Sequence, residues 1–111
     1  MTGPAARTIK ARSRRWTISV LVVDLNLSTG AEQELRDGYR TVFRPAISSQ
    51  PGFVEVTLLE ANDSARWLLL ISFASERERL AWVGTPEHEQ AWPAIASCCD
   101  HFDTRLFERV V

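Results

Sequence analysis

Trp82, His88 and Trp92 fall on consecutive helical segments, close enough along the chain to face one cavity. His88 follows Thr85-Pro86-Glu87, a helix start, and the positive end of the helix dipole there disfavours protonation of its ring. A neutral imidazole accepts protons, so the chemistry on offer is general base catalysis beside large aromatic surfaces. The same residues admit a second account. Ala91, Trp92 and Ile95 also have the spacing of a helix that faces an ordinary core, and His88 the position of a surface histidine. Other chemistries lack their constellations: the chain has no glycine-rich phosphate loop, no nucleophile elbow and no metal-ligand spacing. Cys98 and Cys99 are adjacent, which is neither a metal motif nor a disulfide framework and fits a reducing cytoplasm. Asp100, His101 and Asp103 sit where a strand begins, so neighbouring side chains diverge and turn or surface chemistry accounts for them.

The elements that must position these residues belong to a chain of 111 residues, 45% apolar and 24% charged, a balance that fits one globular domain and excludes general disorder. Five of its 13 basic residues, Arg7, Lys10, Arg12, Arg14 and Arg15, lie in the first fifteen positions, which leaves 8 basic against 14 acidic residues in the remainder. A body of net charge -6 repels phosphate, so nucleic acid is not the expected partner, and residues 1–15 read as a basic, flexible arm on a domain covering 16–111. Ser13-Arg14-Arg15-Trp16 before an apolar run invites comparison with a twin-arginine export signal. Asp24 interrupts that run after eight residues, and nothing elsewhere is long enough to span a membrane. Cytoplasmic location is the expectation.

Residues 16–27 are β-branched and aliphatic on both alternating faces and predict a first strand. Ser28 or Thr29 then caps a helix whose Leu35, Tyr39, Val42, Phe43 and Ala46 share one face, with Pro45 expected to bend or end it. Pro51-Gly52 turns the chain into strands at 53–60 and 66–73, joined as a hairpin. Ser75 and Glu78 form a capping box for a short helix that Gly84 ends, and Thr85-Pro86 starts the helix that carries His88 and Trp92. Residues 101–111 alternate as a last strand. The order β-α-β-β-α-α-β predicts an α+β, ferredoxin-like domain with a four-stranded antiparallel sheet and its helices on one side. Trp67, Leu69, Ile71 and Phe73 occupy one face of the third strand while Leu68 and Leu70 occupy the other. Helices cover only one face, so a second copy of the chain is expected to cover the other.

Phe43-Arg44-Pro45, Gln50-Pro51-Gly52-Phe53, Leu69-Leu70-Ile71-Ser72-Phe73-Ala74-Ser75, Ala81-Trp82 and Thr85-Pro86-Glu87-His88-Glu89-Gln90-Ala91-Trp92 resemble the blocks of the antibiotic-biosynthesis-monooxygenase family. The resemblance covers residue 16 to the C-terminus. It implies a homodimer, a dimeric α+β barrel with a ligand cavity between sheet and helices in each protomer. It also implies an oxygenase that needs no metal, flavin or other cofactor. Substrates of such enzymes are hydrophobic, electron-rich aromatics of anthrone or hydroquinone type, polyketide-like intermediates of bacterial specialised metabolism whose anions pass an electron to molecular oxygen. On this reading His88 and Trp92 are catalytic, and Trp82, Trp67, Phe73, Tyr39 and Phe43 bind substrate. Arginine-rich, lysine-poor usage fits a GC-rich bacterial genome.

Two departures accompany the resemblance. Phe73-Ala74-Ser75 stands where anthrone-oxygenating relatives carry a tryptophan, an acidic residue and a serine. Haem-degrading relatives pair an asparagine, a tryptophan and a histidine; Trp82 matches the tryptophan, but Val23 and Trp92 take the other two places, so haem is not expected. The alternatives to an oxygenase are a non-catalytic dimeric ligand-binding module and a non-oxidative cyclase or isomerase using the same pocket.

Overall fold

A computed structural model describes residues 17–62 and 66–111. The basic arm, the Trp16 start of the first strand and part of the hairpin connection lie outside the described residues. Strands β1 (Ser19–Leu27), β2 (Phe53–Glu60), β3 (Arg66–Phe73) and β4 (Cys99–Glu108) form one antiparallel sheet in the order β2-β3-β1-β4, the ferredoxin-like arrangement. The two-sided apolar run of β1 suits its central place. The last strand begins two residues earlier than its alternation suggests, because a register shift after Asn26 brings Leu27 opposite Cys99. It ends at Glu108, opposite Ser19, where its partner strand begins.

The first helical region is α1 (Glu32–Gly38), a π turn (Tyr39–Phe43) and α2 (Arg44–Ser48). Neither expected cap is used. The Ser28 hydroxyl donates to Asp100 (2.8 Å), and its carbonyl accepts from Ala31 across a turn that Gly30 closes at φ +82°. Pro45 does not end the helix. It has no N–H to give, and the wider π turn just before it takes up the disruption. The same turn changes the buried face. Residues four apart in a regular α-helix lead by about 40° per step, and the π turn takes that lead back. Leu35, Phe43 and Ile47 are therefore buried with Tyr39 half-buried between them, while Val42, expected inside, is 42% exposed.

Pro51-Gly52 makes the expected turn, with Gly52 at φ +80° and its missing Cβ filled by the Glu78 carboxylate. Ser75 caps α3 (Glu76–Val83) by accepting from the Glu78 N–H, and Gly84 closes that helix. Thr85 caps α4 (Pro86–Ala91) in the same way through the His88 N–H. The helix predicted to run on past Trp92 is divided by Pro93 into α4 and α5 (Pro93–Ala96). Trp67, Leu69, Ile71 and Phe73 are buried beneath the helices with Val23 and Leu25. The opposite sheet face carries Val20, Val22, Leu59, Leu68, Leu70 and Phe107 by register, of which Leu59 and Phe107 are 42% and 47% exposed. No helix among the described residues is long and apolar enough to cross a membrane.

Candidate active site

Sheet and helices form a partly open cavity of about 160 Å³ near the β4 edge. Its floor is Leu21 and Val23 of β1, Ile71 of β3 and Phe102 and Thr104 of β4. The register explains the grouping, since Leu21 lies opposite Ile71 and Val23 opposite Thr104, all on the helix side. The roof comes from Phe43 on the π turn, Arg79, Trp82 and Val83 on α3, His88 on α4 and Trp92 at the end of α4. Arg79, His88 and Thr104 supply the polar groups in a lining that is otherwise aliphatic and aromatic.

His88 is clamped between two indoles. Its ring meets Trp82 edge-on at 4.9 Å between centroids and stacks on Trp92 at 6.3 Å with the planes 13° apart. Its backbone N–H is tied to Thr85 Oγ1 (3.1 Å), whose hydroxyl donates in turn to the Trp82 carbonyl (2.7 Å). Burial lowers the His88 pKa from its ordinary 6.5, so desolvation in an apolar wall, more than the helix dipole, keeps the ring neutral. A depressed pKa means the unfolded chain binds this proton more readily than the native one. The stability it confers is therefore complete above pH 6.5 and declines as pH falls below that value. The thermal midpoint of His88→Gln should fall less steeply with acid over that range than that of the wild type, with scans at matched ionic strength as the check.

Arg79 is the charged member of the lining, its side chain 13% exposed. Its Nε and Nη2 donate to the two carboxylate oxygens of Glu76 (2.9 and 2.6 Å), and the Ser19 hydroxyl adds a third bond to Glu76 Oε1 (2.6 Å). The Arg79 hydrogen bond, with a further contribution from Ser19, holds the Glu76 carboxyl below the usual carboxylate range despite its partial burial.

Of the residues singled out by sequence, Phe43, Trp82, His88 and Trp92 meet around this cavity. Phe43 packs edge-on against both tryptophans at 6.0 and 6.2 Å. The other three lie elsewhere. Trp67 is two ladder steps up β3 from Ile71 pair by pair, roughly 13 Å along the strand. It sits beneath the Arg36 guanidinium at 5.2 Å in a separate depression of about 360 Å³. Tyr39 borders that same depression and donates its hydroxyl to the Val56 carbonyl (3.2 Å). Phe73 is fully buried against Phe53.

Arg79, Thr104 and Phe102 were not anticipated. Arg79, Trp82 and Val83 recur at helical spacing on one side of α3, which is the signal that could have revealed the arginine. A shallower groove of about 420 Å³ lies against the outer side of Val83, His88 and Trp92, which it shares with the cavity, so these side chains form the wall between the two. The cysteines lie apart from both: Cys98 is buried, and burial raises the Cys99 thiol to about 11, which keeps it protonated.

Comparison with known proteins places this geometry. The chain is 30% identical over 79 residues to a 42.8 kDa protein in the whiE locus of Streptomyces coelicolor, a match covering 70% of this chain and 20% of the relative. The chain thus spans about a fifth of that relative's length. Among solved structures it superposes on SnoaB, a cofactor-independent oxygenase from Streptomyces nogalater, with a TM-score of 0.76 and 18% identity over 86% of this chain and 95% of SnoaB. A conserved protein from Methanosarcina mazei gives 0.74 at 10% identity over 86% and 95% of the two chains. These likenesses establish the same fold. Residues 18–93 match the antibiotic biosynthesis monooxygenase family over more than half the chain, and the protein belongs to that family.

Proposed function

We propose that this protein is a cofactor-independent monooxygenase, or a related tailoring enzyme, acting on a hydrophobic, hydroquinone- or anthrone-like aromatic. The observation that carries this reading is a neutral histidine held between two indoles in the wall of an apolar cavity. His88 takes the acidic proton of the bound aromatic, and Trp82, Trp92 and Phe43 hold the ring. For an anthrone, one oxygen atom of O2 becomes the new carbonyl oxygen of the oxidised carbon. The second leaves as water with the two hydrogens of the former CH2, and the substrate supplies all the electrons. The likeness to SnoaB supports this choice among the reactions a proton acceptor could serve. Oxygen uptake by metal-stripped protein given a panel of hydroquinones and anthrones, corrected for autoxidation, tests it. Uptake above background that falls in Trp92→Ala supports oxygenation; no uptake, with ligands that still quench tryptophan fluorescence, moves the reading to a binding module.

The working unit in this proposal is a homodimer, joined through the open sheet face. Val20, Val22, Leu68 and Leu70 form the centre of that face, a contiguous apolar patch of the kind that marks an interface. Leu70→Glu should place a charge there and shift the protein to a monomer in sedimentation equilibrium. A variant that sediments as the wild type does would exclude this face as the interface.

A further inference from the structure

We propose that Arg79 is a specificity-determining residue of the cavity, selecting the oxyanion form of an aromatic ligand that seats about one ring there. The inference rests on the cavity being the ligand site and adds what that ligand must carry. Volume sets how much of it is seated. A cavity of about 160 Å³ is close to engineered apolar cavities of about 150 Å³ that take up benzene. The further rings of a larger ligand extend beyond this volume through the open side of the cavity.

Charge sets the rest. Arg79 lines the cavity, whereas Glu76 and Ser19, which hold it, stand behind and outside the lining. The bonds to Glu76 use Nε and Nη2, so the Nη1 side of the fork is not taken by that carboxylate. Because Arg79 lines the cavity and Glu76 does not, the pair presents its cationic member to this side. An aromatic oxygen gains more from such a donor when ionised, because hydrogen bonds between a guanidinium and an anion are the strong kind. The Ser19–Glu76–Arg79 chain fixes the guanidinium before the ligand arrives, which removes the ordering cost of a long side chain. Glu76 is in this sense a positioning residue.

Spectrophotometric titration of 4-nitrophenol bound to the full chain reads this directly, because the coloured anion reports its own ionisation and the ligand is inert to oxygen. Bound to wild type, it should ionise at lower pH than when free, by about one unit, a tenfold preference for the anion. Arg79→Met, which keeps the aliphatic stem, should lose most of that shift, and Arg79→Lys should retain part of it. Glu76→Gln keeps a hydrogen-bond acceptor that positions the guanidinium but removes the charge that neutralises it, and should deepen the shift. An unshifted or raised ionisation in wild type, a full shift in Arg79→Met, or a shallower shift in Glu76→Gln would each overturn the proposal. Should Arg79→Met fail to fold, the wild-type and Glu76→Gln titrations decide it. Anion preference without oxygen uptake from any substrate would remove the oxygenase reading and leave this one standing; oxygen uptake without anion preference would do the reverse.

Discussion

Phe43→Ala should lower the unfolding free energy by about 3–5 kcal/mol, the range for truncating a buried aromatic side chain. Phe43 is 1% exposed and projects from the π turn into the junction of Trp82 and Trp92. Truncation removes its transfer free energy, two edge-on aromatic contacts of about 0.5–1.5 kcal/mol each, and the support that keeps both indoles in place. The neighbours have little freedom to collapse into the space, since Leu35 and Ile47 on the same helical face are themselves fully buried. Phe43→Leu keeps most of the volume and should cost less than half as much. Urea denaturation of both variants checks the pair of values, and a loss under about 1 kcal/mol in Phe43→Ala would show that the roof repacks freely. The alanine variant should also bind aromatic ligands more weakly, because the cavity wall it removes is the one that orients the tryptophans.

His88→Gln should reduce oxygenation by about 10²–10⁴-fold, the range a positioned general base contributes. Glutamine keeps a polar side chain of similar reach and accepts hydrogen bonds, but it does not take up a proton at working pH. Burial depresses the His88 pKa below 6.5, so the wild-type rate should rise with pH through that lowered value and be level above it. The residual activity of the variant should lack this step. Steady-state rates across pH 5–8, within the range histidines serve, with thermal unfolding as a control on folding, separate the base from a packing role. A variant within about twofold of wild type would remove His88 from the chemistry.

Much of the fold was legible because its signals are local and mutually consistent. Alternation in 66–73, the Pro51-Gly52 turn, the Ser75 and Thr85 caps and the two-sided apolar run of β1 each point to one element, and the burial of Trp67, Leu69, Ile71 and Phe73 follows from period alone. What escaped depends on longer-range or continuous geometry. The π turn is invisible to a period of 3.6, so Val42 was placed inside and Ile47 overlooked. The start of β4 at Cys99 follows from a register shift against β1. At the site, Trp82, His88 and Trp92 are near in sequence, and their grouping was readable as one side of successive helical turns. Trp67 and Tyr39 share their aromatic character but face the opposite end of the sheet, which no single-strand pattern distinguishes. Arg79 was not singled out by sequence; the contact of its partner Glu76 with Ser19, 57 residues away, is a tertiary one that no local pattern carries.

The most direct test is oxidation of a hydroquinone or an anthrone under ¹⁸O2 by the metal-stripped protein, with mass spectrometry of the product at early times and solvent exchange measured in parallel. Cofactor-free monooxygenation requires one labelled oxygen atom in the product and the other in water, with incorporation falling to background in His88→Gln. A product that carries no label beyond the autoxidation control, or incorporation unchanged by the His88 and Trp92 variants, would contradict oxygenation in this cavity.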